Sequence, residues 1–393
     1  MQVVQRVTFV TVLVTATLSL ASAQAPLPPA WRAVSAGIDH ARITRGQDVA
    51  AAAGPWVIHA LRVDLTRNRL DAVRATGKAI GLETTSALAA RTGAIAAVNG
   101  GYFRTGGTFS GDSTGTVQID GRVLSEPDRA RAAVGFRRAG PATQLVFGHV
   151  VWDASVTVGN QRRKIDGVNR ARGDQQLIVF TPELGATTLT DATGIEVIVR
   201  SNRVTEIRDA AGRSAIPSDG FVLSARGAAA AWLRRTARPG VSVRHTMTLR
   251  PPTRAARNPW TDAEDILGAG PKLVTHGRVD VTAARERMLP GFATDRHPRT
   301  AIATMADGRA LLVVVDGRQQ ASVGMSLVEL ARTLISLGAR EAINLDGGGS
   351  TAMVIDGQLA NRPSDPTGER LVSDAIIVRS SVPSSPSPRS PHD

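Results

Sequence analysis

The chain contains no cysteine. That absence removes disulfides, thiolate zinc sites, cysteine nucleophiles and lipid attachment at an N-terminal cysteine in one step. Aromatic residues are scarce, 4% of the 393 residues with a single tyrosine, so a core drawn from a 42% hydrophobic fraction must be built from Ala, Val, Leu and Ile. Lysine is almost missing as well: Lys78, Lys164 and Lys272 stand among 47 basic residues. The formal charge of +13 is therefore carried by arginines spread along the chain. No helix-turn-helix pattern, zinc finger or aromatic–basic stripe accompanies that charge, so no nucleic-acid partner is expected. The charge reads as a solvated basic surface that would also suit an anionic substrate.

Long apolar runs are lacking after the first residues. Arg6 precedes the apolar stretch Val7 to Leu20, and Ala21-Ser22-Ala23 follows it. A charged start, an apolar centre and a small-residue site predict a signal peptide cleaved after Ala23. The stretch falls short of the roughly 20 apolar residues that a membrane span needs. The mature protein is expected outside the cytoplasm, periplasmic or secreted, with no membrane span after signal removal. Residues 24–54 read as a lead-in, and residues 380–393 as a disordered Ser/Pro tail.

Turn formers are plentiful, with 38 glycines and 21 prolines. The order of elements predicts an α+β fold: a β-rich mixed sheet domain with a few helices and many hairpins. Trp56 to Leu65 alternates as a half-buried strand does, and Ala94 to Val98 reads as a buried strand. Thr84 to Arg91 suits a short helix. Leu327, Leu330, Ala331, Leu334 and Leu337 share one helical face, with Ser326 and Glu329 as a capping box and Gly338 as a stop. That gives Glu329 a structural task. Asp120-Gly121, Asp307-Gly308 and Asp356-Gly357 each suit a two-residue hairpin turn.

Chemistry gathers at Asn344-Leu345-Asp346-Gly347-Gly348-Gly349-Ser350-Thr351. An amide and a carboxylate end a strand there, followed by three glycines and two hydroxyls. Successive glycines cost backbone entropy and make sense where the backbone bends tightly or nears a ligand, and free amides in such a turn can form an anion-binding nest. Asn99-Gly100-Gly101-Tyr102-Phe103 again follows a buried strand. If Asp307-Gly308 alone forms the third hairpin loop, Arg299 stands opposite Asp316 and the two share a face, with Arg318 two residues on. Gly348-x-Ser350-x-Ala352 approaches the nucleophile elbow, but the only later histidine, His392, lies in the tail. The remaining histidines show no zinc pair, and no phosphate-binding loop of nucleotide enzymes is present.

These stretches resemble the signatures of the phosphodiester glycosidase family. The resemblance is carried by Ala96 to Phe103, Arg299-Thr300-Ala301-Ile302, Val315-Asp316-Gly317-Arg318 and Asn344 to Thr351. Gly268 to Val274, Asn361-Arg362-Pro363, Glu83-Thr84-Thr85 and Val168-Asn169-Arg170-Ala171-Arg172 follow the same order. It covers roughly Trp56 to Val378, within a catalytic domain placed at residues 55–379. It implies an exported hydrolase that cuts a sugar-1-phosphodiester, such as one of N-acetylglucosamine, at the anomeric carbon to free the sugar and a phosphomonoester. The substrate would be small or polymer-linked. The leaving phosphate needs charge stabilisation more than a proton, which guanidinium supplies by forked hydrogen bonds. Arg299, Arg318 and Arg172 are the candidates for it. Asn99, Gly100, Gly101, Thr300, Asn344, Gly347, Gly348, Gly349, Ser350 and Thr351 would line the sugar and phosphate. The oxocarbenium-like transition state needs a carboxylate as nucleophile or base. Asp346 is the first candidate, followed by Asp316 and Glu83. No cofactor is required; Asp346 and Asn344 could hold a divalent metal, but nothing in the spacing demands one. The alternative readings are another hydrolase, or a non-catalytic protein, acting on an anionic cell-surface polysaccharide. The sequence does not fix an oligomeric state.

Overall fold

A computed structural model describes residues 29–46, 54–140 and 142–381. The expected signal peptide and residues 382–393 of the expected tail lie outside the described residues. Strands dominate, with three α-helices among the described residues. One eight-stranded sheet, three five-stranded sheets and one three-stranded sheet are present. Pairing is antiparallel throughout, apart from the short parallel pair Gly167–Val168 with Leu177–Phe180. The β-rich character matches the expectation; the sheets are far less mixed than it allowed.

The eight-stranded sheet organises the molecule. Its middle runs Trp56–Val63, Ala310–Val315, Arg299–Met305, Ala339–Asn344. The helix α3 (Leu327–Ser336) covers one face, packing Leu327, Leu330 and Leu334 on Ala301, Val313 and Ala342. The other face, through Leu61, Ile302, Leu312 and Ile343, meets two of the five-stranded sheets. Trp56–Val63 is therefore buried on both faces rather than on one. Strands flanked on both sides lose the polar alternation that marks a half-exposed strand. Residues of the lead-in join in: Arg32–Ser35 and Ile38–Arg45 are the outer strands beside Trp56–Val63.

Local chemistry sets the punctuation. Ser326 accepts from the Glu329 amide, and the Glu329 side chain accepts from the Ser326 amide, so the capping box is complete. Thr84 caps α1 (Thr85–Thr92), whose end is a left-handed Gly93. Asp120-Gly121 and Asp356-Gly357 form two-residue turns with φ of 48° and 74° in each. Asp307-Gly308 does not. The Met305 amide bonds the Arg309 carbonyl and the Gly308 amide bonds the Met305 carbonyl, which makes a three-residue loop with Gly308 at φ +85°. That geometry is a type I turn followed by a left-handed glycine, the usual alternative for a hairpin. The extra residue shifts the register by one, and Arg299 stands opposite Val315, not Asp316.

A second core lies between residues 151 and 250. The three-stranded sheet and a five-stranded sheet enclose Val156, Leu177, Val197 and Leu223, and α2 (Gly227–Thr236) adds Trp232 and Leu233.

Candidate active site

Antiparallel pairing brings the start of Arg299–Met305 beside the ends of Ala310–Val315 and Ala339–Asn344. At this edge, the strand Ala96–Asn99 arrives from a neighbouring sheet. Asn99 is fully buried and joins them. Its Nδ2 donates to the Asp346 carbonyl at 2.7 Å, and its Oδ1 accepts from Thr300 Oγ1 at 2.7 Å and the Ala352 amide at 3.2 Å. One side chain thus fixes both ends of the glycine run. The Asp346 amide donates to the Gly100 carbonyl at 2.9 Å. The Gly101 amide donates to Asp374 Oδ1 at 2.6 Å, and a Cβ on Gly100 would lie 2.1 Å from that same oxygen.

The three glycines are required by close approach. A Cβ at Gly347 would lie 2.7 Å from the Pro298 carbonyl oxygen. Gly348 has φ +60°, and a Cβ there would lie 3.2 Å from the Arg318 guanidinium. A Cβ at Gly349 would fall 2.2 Å from the Arg370 guanidinium and 2.3 Å from the Asp365 carboxylate, which pair with each other at 2.8 Å. The run is no open nest, however. The amides of Gly347, Gly348, Ser350 and Thr351 bond Asp346 Oδ1 and the carbonyls of Pro298, Gly347 and Gly348 in turn. The cationic groups beside this turn are the guanidinium groups of Arg318 and Arg370, the latter paired with Asp365.

The Asp346 carboxyl is half-buried, and burial pushes its pKa up to about 6, against the opposing pull of the Ser350 hydroxyl, the Gly347 amide and Arg370. Arg299 is buried, and its guanidinium donates to three carbonyls: Met325 at 2.8 Å, Phe292 at 3.0 Å and Asp295 at 2.8 Å. Among the described residues no carboxylate pairs with it, and burial brings its pKa down to about 10. Tyr102, the single tyrosine, donates to the Gly270 carbonyl at 2.7 Å and accepts from Asn344 Nδ2 at 2.8 Å. Around the turn Asn344 Oδ1, Thr351 Oγ1 and Ser364 Oγ are buried without a hydrogen-bond partner. Buried polar atoms are seldom left so, and such atoms mark a place where water or a ligand is accommodated.

Three expectations need correction. Asp316 does not orient Arg299. Its Oδ1 accepts from Asn361 Nδ2 at 3.2 Å and the Arg362 amide at 3.1 Å, and Asn361 in turn holds the Thr351 carbonyl. Asp316 therefore supports the far end of the glycine run indirectly. Glu83 binds Arg91 at 2.8 Å and the Thr76 amide at 2.6 Å, tying α1 to the preceding turn. Arg172 donates to Ser224 Oγ at 2.6 Å and Asp191 at 2.9 Å, beside a cavity of about 370 Å³ whose lining includes no residue of the glycine run. The remaining candidates, Asn99, Gly100, Gly101, Arg299, Thr300, Arg318, Asn344, Asp346 and residues 347–351, converge. Among the described residues no group of three or more His, Asp or Glu side chains gathers as a metal site would.

The phosphodiester glycosidase family pattern matches residues 193–379, which includes the Arg299 strand and the glycine run. Over that stretch the chain is similar to the phosphodiester glycosidase family. It is 43% identical over 67 residues to the N-acetylglucosamine-1-phosphodiester alpha-N-acetylglucosaminidase of Bos taurus; that match spans 17% of this chain and 12% of the cattle protein. The fold is similar to a crystal structure of a hypothetical protein from Synechocystis, with a TM-score of 0.75 and 26% identity, covering 91% of this chain and 64% of that one. It is also similar to a protein of Burkholderia pseudomallei K96243 described as exported, with a TM-score of 0.74 and 27% identity, covering 84% and 75% of the two chains. Sequence reasoning missed Asp365, Arg370, Asp374 and Tyr102 as neighbours of the glycine run. Arg370 and Asp365 sit in a polar loop without period, where only their closeness to Asn361-Arg362-Pro363 hinted at a role.

Proposed function

We propose that the chain is an exported glycosidase that hydrolyses a sugar-1-phosphodiester at the anomeric carbon, releasing the sugar and a phosphomonoester. The observation that carries this reading is the shared turn: one half-buried carboxyl, Asp346, beside glycines that leave room for the Arg318 and Arg370 guanidinium groups. Asp346 is the nucleophile or the base for water, and a pKa near 6 suits either task near neutrality. As the bond from the anomeric carbon to oxygen breaks, its electron pair leaves with the phosphate. Arg318 and Arg370 then stabilise the growing charge by forked hydrogen bonds. Asn99 and Thr300 hold the turn in place, and Arg299 fixes the segment 292–295 that borders it. Export is supported by the signal-like start of the sequence and by the similar Burkholderia protein; among the described residues no helix is long and apolar enough to cross a membrane.

The test is incubation of the mature protein with a panel of sugar-1-phosphate diesters, including UDP-N-acetylglucosamine, with free sugar and phosphorus products both measured. Free sugar with an intact diphosphate supports the reading, and a chelator should leave the rate unchanged. Sugar 1-phosphate as the product would mean that the phosphoanhydride is cut instead. Binding without turnover would favour a non-catalytic role.

A further inference from the structure

The second core carries an exposed sheet face that the hydrolytic reading does not use. Val151–Val158 lies between Gln161–Lys164 and Val243–Arg250 in the three-stranded sheet. Ala154, Val156, Val158 and Val243 turn into the core. The opposite face is open, and the register sets its rows. Ser155 stands between Lys164 and Thr246, and Thr157 between Arg162 and Arg244. A groove of about 560 Å³ is formed there by Ser155, Thr157, Arg162, Ser242, Arg244 and Thr246.

Arg162, Lys164 and Arg244 are exposed, and among the described residues none of them pairs with a carboxylate. Arg162 Nε donates only to Ser155 Oγ at 3.0 Å. Asp153, on the same face, is held by Arg250 at 2.6 Å. Strand spacing places Arg162 and Arg244 roughly 10 Å apart at the backbone, and Lys164 roughly 7 Å from Arg162. Like charges within about one Debye length repel, and Asp153, the carboxylate that feels the Arg162 charge, is itself paired with Arg250. Between them runs a ladder of hydroxyls, with Ser155 Oγ and Thr246 Oγ1 3.2 Å apart. Hydroxyls rotate to donate or accept, as sugar hydroxyls and ring oxygens require. The nearby aromatic rings face inward: Trp152 packs against the core and His245 lies edge-on to Phe221 at 4.6 Å. The face thus offers no platform for stacked bases and no apolar wedge for lipid.

We propose that this face docks a strand of acidic polysaccharide, whose anionic groups bridge Arg162, Lys164 and Arg244 while its hydroxyls meet the Ser/Thr ladder. The face shares no residue with the candidate active site. Docking there would hold a polymer-borne substrate near the enzyme and raise its effective concentration.

The test is calorimetric titration of the mature protein with polygalacturonate oligomers at low and high salt, beside single-stranded DNA of equal charge. The variant carries Arg162→Gln, Lys164→Gln and Arg244→Gln together. The wild type should bind the polyuronate more tightly than the DNA, and salt should weaken it. The triple variant should lose at least about tenfold in affinity with a shallower salt dependence. Its thermal midpoint and its turnover of a small soluble sugar phosphodiester should stay unchanged. Wild-type affinity in the variant would assign binding to the basic surface at large and overturn the proposal. Equal or tighter binding of DNA, or no binding of polyuronate, would overturn it too. The binding measurement stands whether or not the chain hydrolyses a phosphodiester.

Discussion

Asp346 must be ionised to attack or to take a proton, yet burial holds its carboxyl near pKa 6. Turnover should therefore fall as the pH drops below about 6, and an Asn at this position should erase that acid limb. Asp346→Asn keeps the Gly347 amide's acceptor, so it should fold normally while losing about a hundredfold or more in turnover. Steady-state kinetics across the acid range check both points, and near-wild-type turnover would remove Asp346 from the chemistry. Arg299 poses a different question. Its planar fork reaches three carbonyls from two segments at once, which a lysine ammonium cannot reproduce. Arg299→Lys should lower stability by about 2 kcal/mol, the scale of charged hydrogen bonds lost in a buried place, and should slow turnover with it. Denaturant melts and kinetics together would show whether the fork geometry is idle.

At the scale of elements, the buried pair Arg74–Asp374 joins two neighbouring strands. Arg74 Nη1 lies 2.7 Å from Asp374 Oδ2, with side chains 2% and 1% exposed. Asp374 Oδ1 meanwhile takes the Gly101 amide, so this pair also braces the Asn99-Gly100-Gly101 turn. Arg74→Met would leave a buried carboxylate unpaired, at a cost of about 3–5 kcal/mol. Adding Asp374→Asn removes the stranded charge while keeping an acceptor for Gly101, so the double variant should recover part of the loss. Thermal melts of the three proteins decide it. None of this was legible in the sequence, because the partners lie 300 residues apart and each sits in an ordinary strand. Features set by a few neighbouring residues were legible: the Ser326–Glu329 box, the Thr84 start of α1 and two of three Asp-Gly turns. The third turn failed because a hairpin loop of three residues suits the same dipeptide, and one residue of register moved Asp316 away from Arg299. The glycine run was legible as a tightly approached turn since its cost in entropy needed a reason. The arginines that supply the reason were only half legible, with Arg318 found and Arg370 missed.

Over the whole molecule, acid sensitivity should centre on the eight-stranded sheet. His59 is 3% exposed on a central strand, with its Nδ1 3.2 Å from His40 Nε2. Burial, then His40 and Arg42, lower its pKa from 6.5 to about 4. The unfolded chain takes up the proton first, so this contribution is complete above pH 6.5 and is lost as the pH falls towards 4. The loss amounts to roughly 3 kcal/mol at most. Urea melts at neutral and acid pH should show it, and His59→Gln should flatten the slope; an unchanged slope would move the sensitivity elsewhere.

The two outer strands at residues 32–45 bear on how the protein can be trimmed. Ile38–Arg45 occupies the full length of one side of Trp56–Val63. A chain begun at residue 55 would keep every residue of the candidate site, yet it would bare a long apolar edge whose unpaired amides and carbonyls invite other strands to add on. Self-association, and not lost chemistry, would then be the first symptom of cutting there.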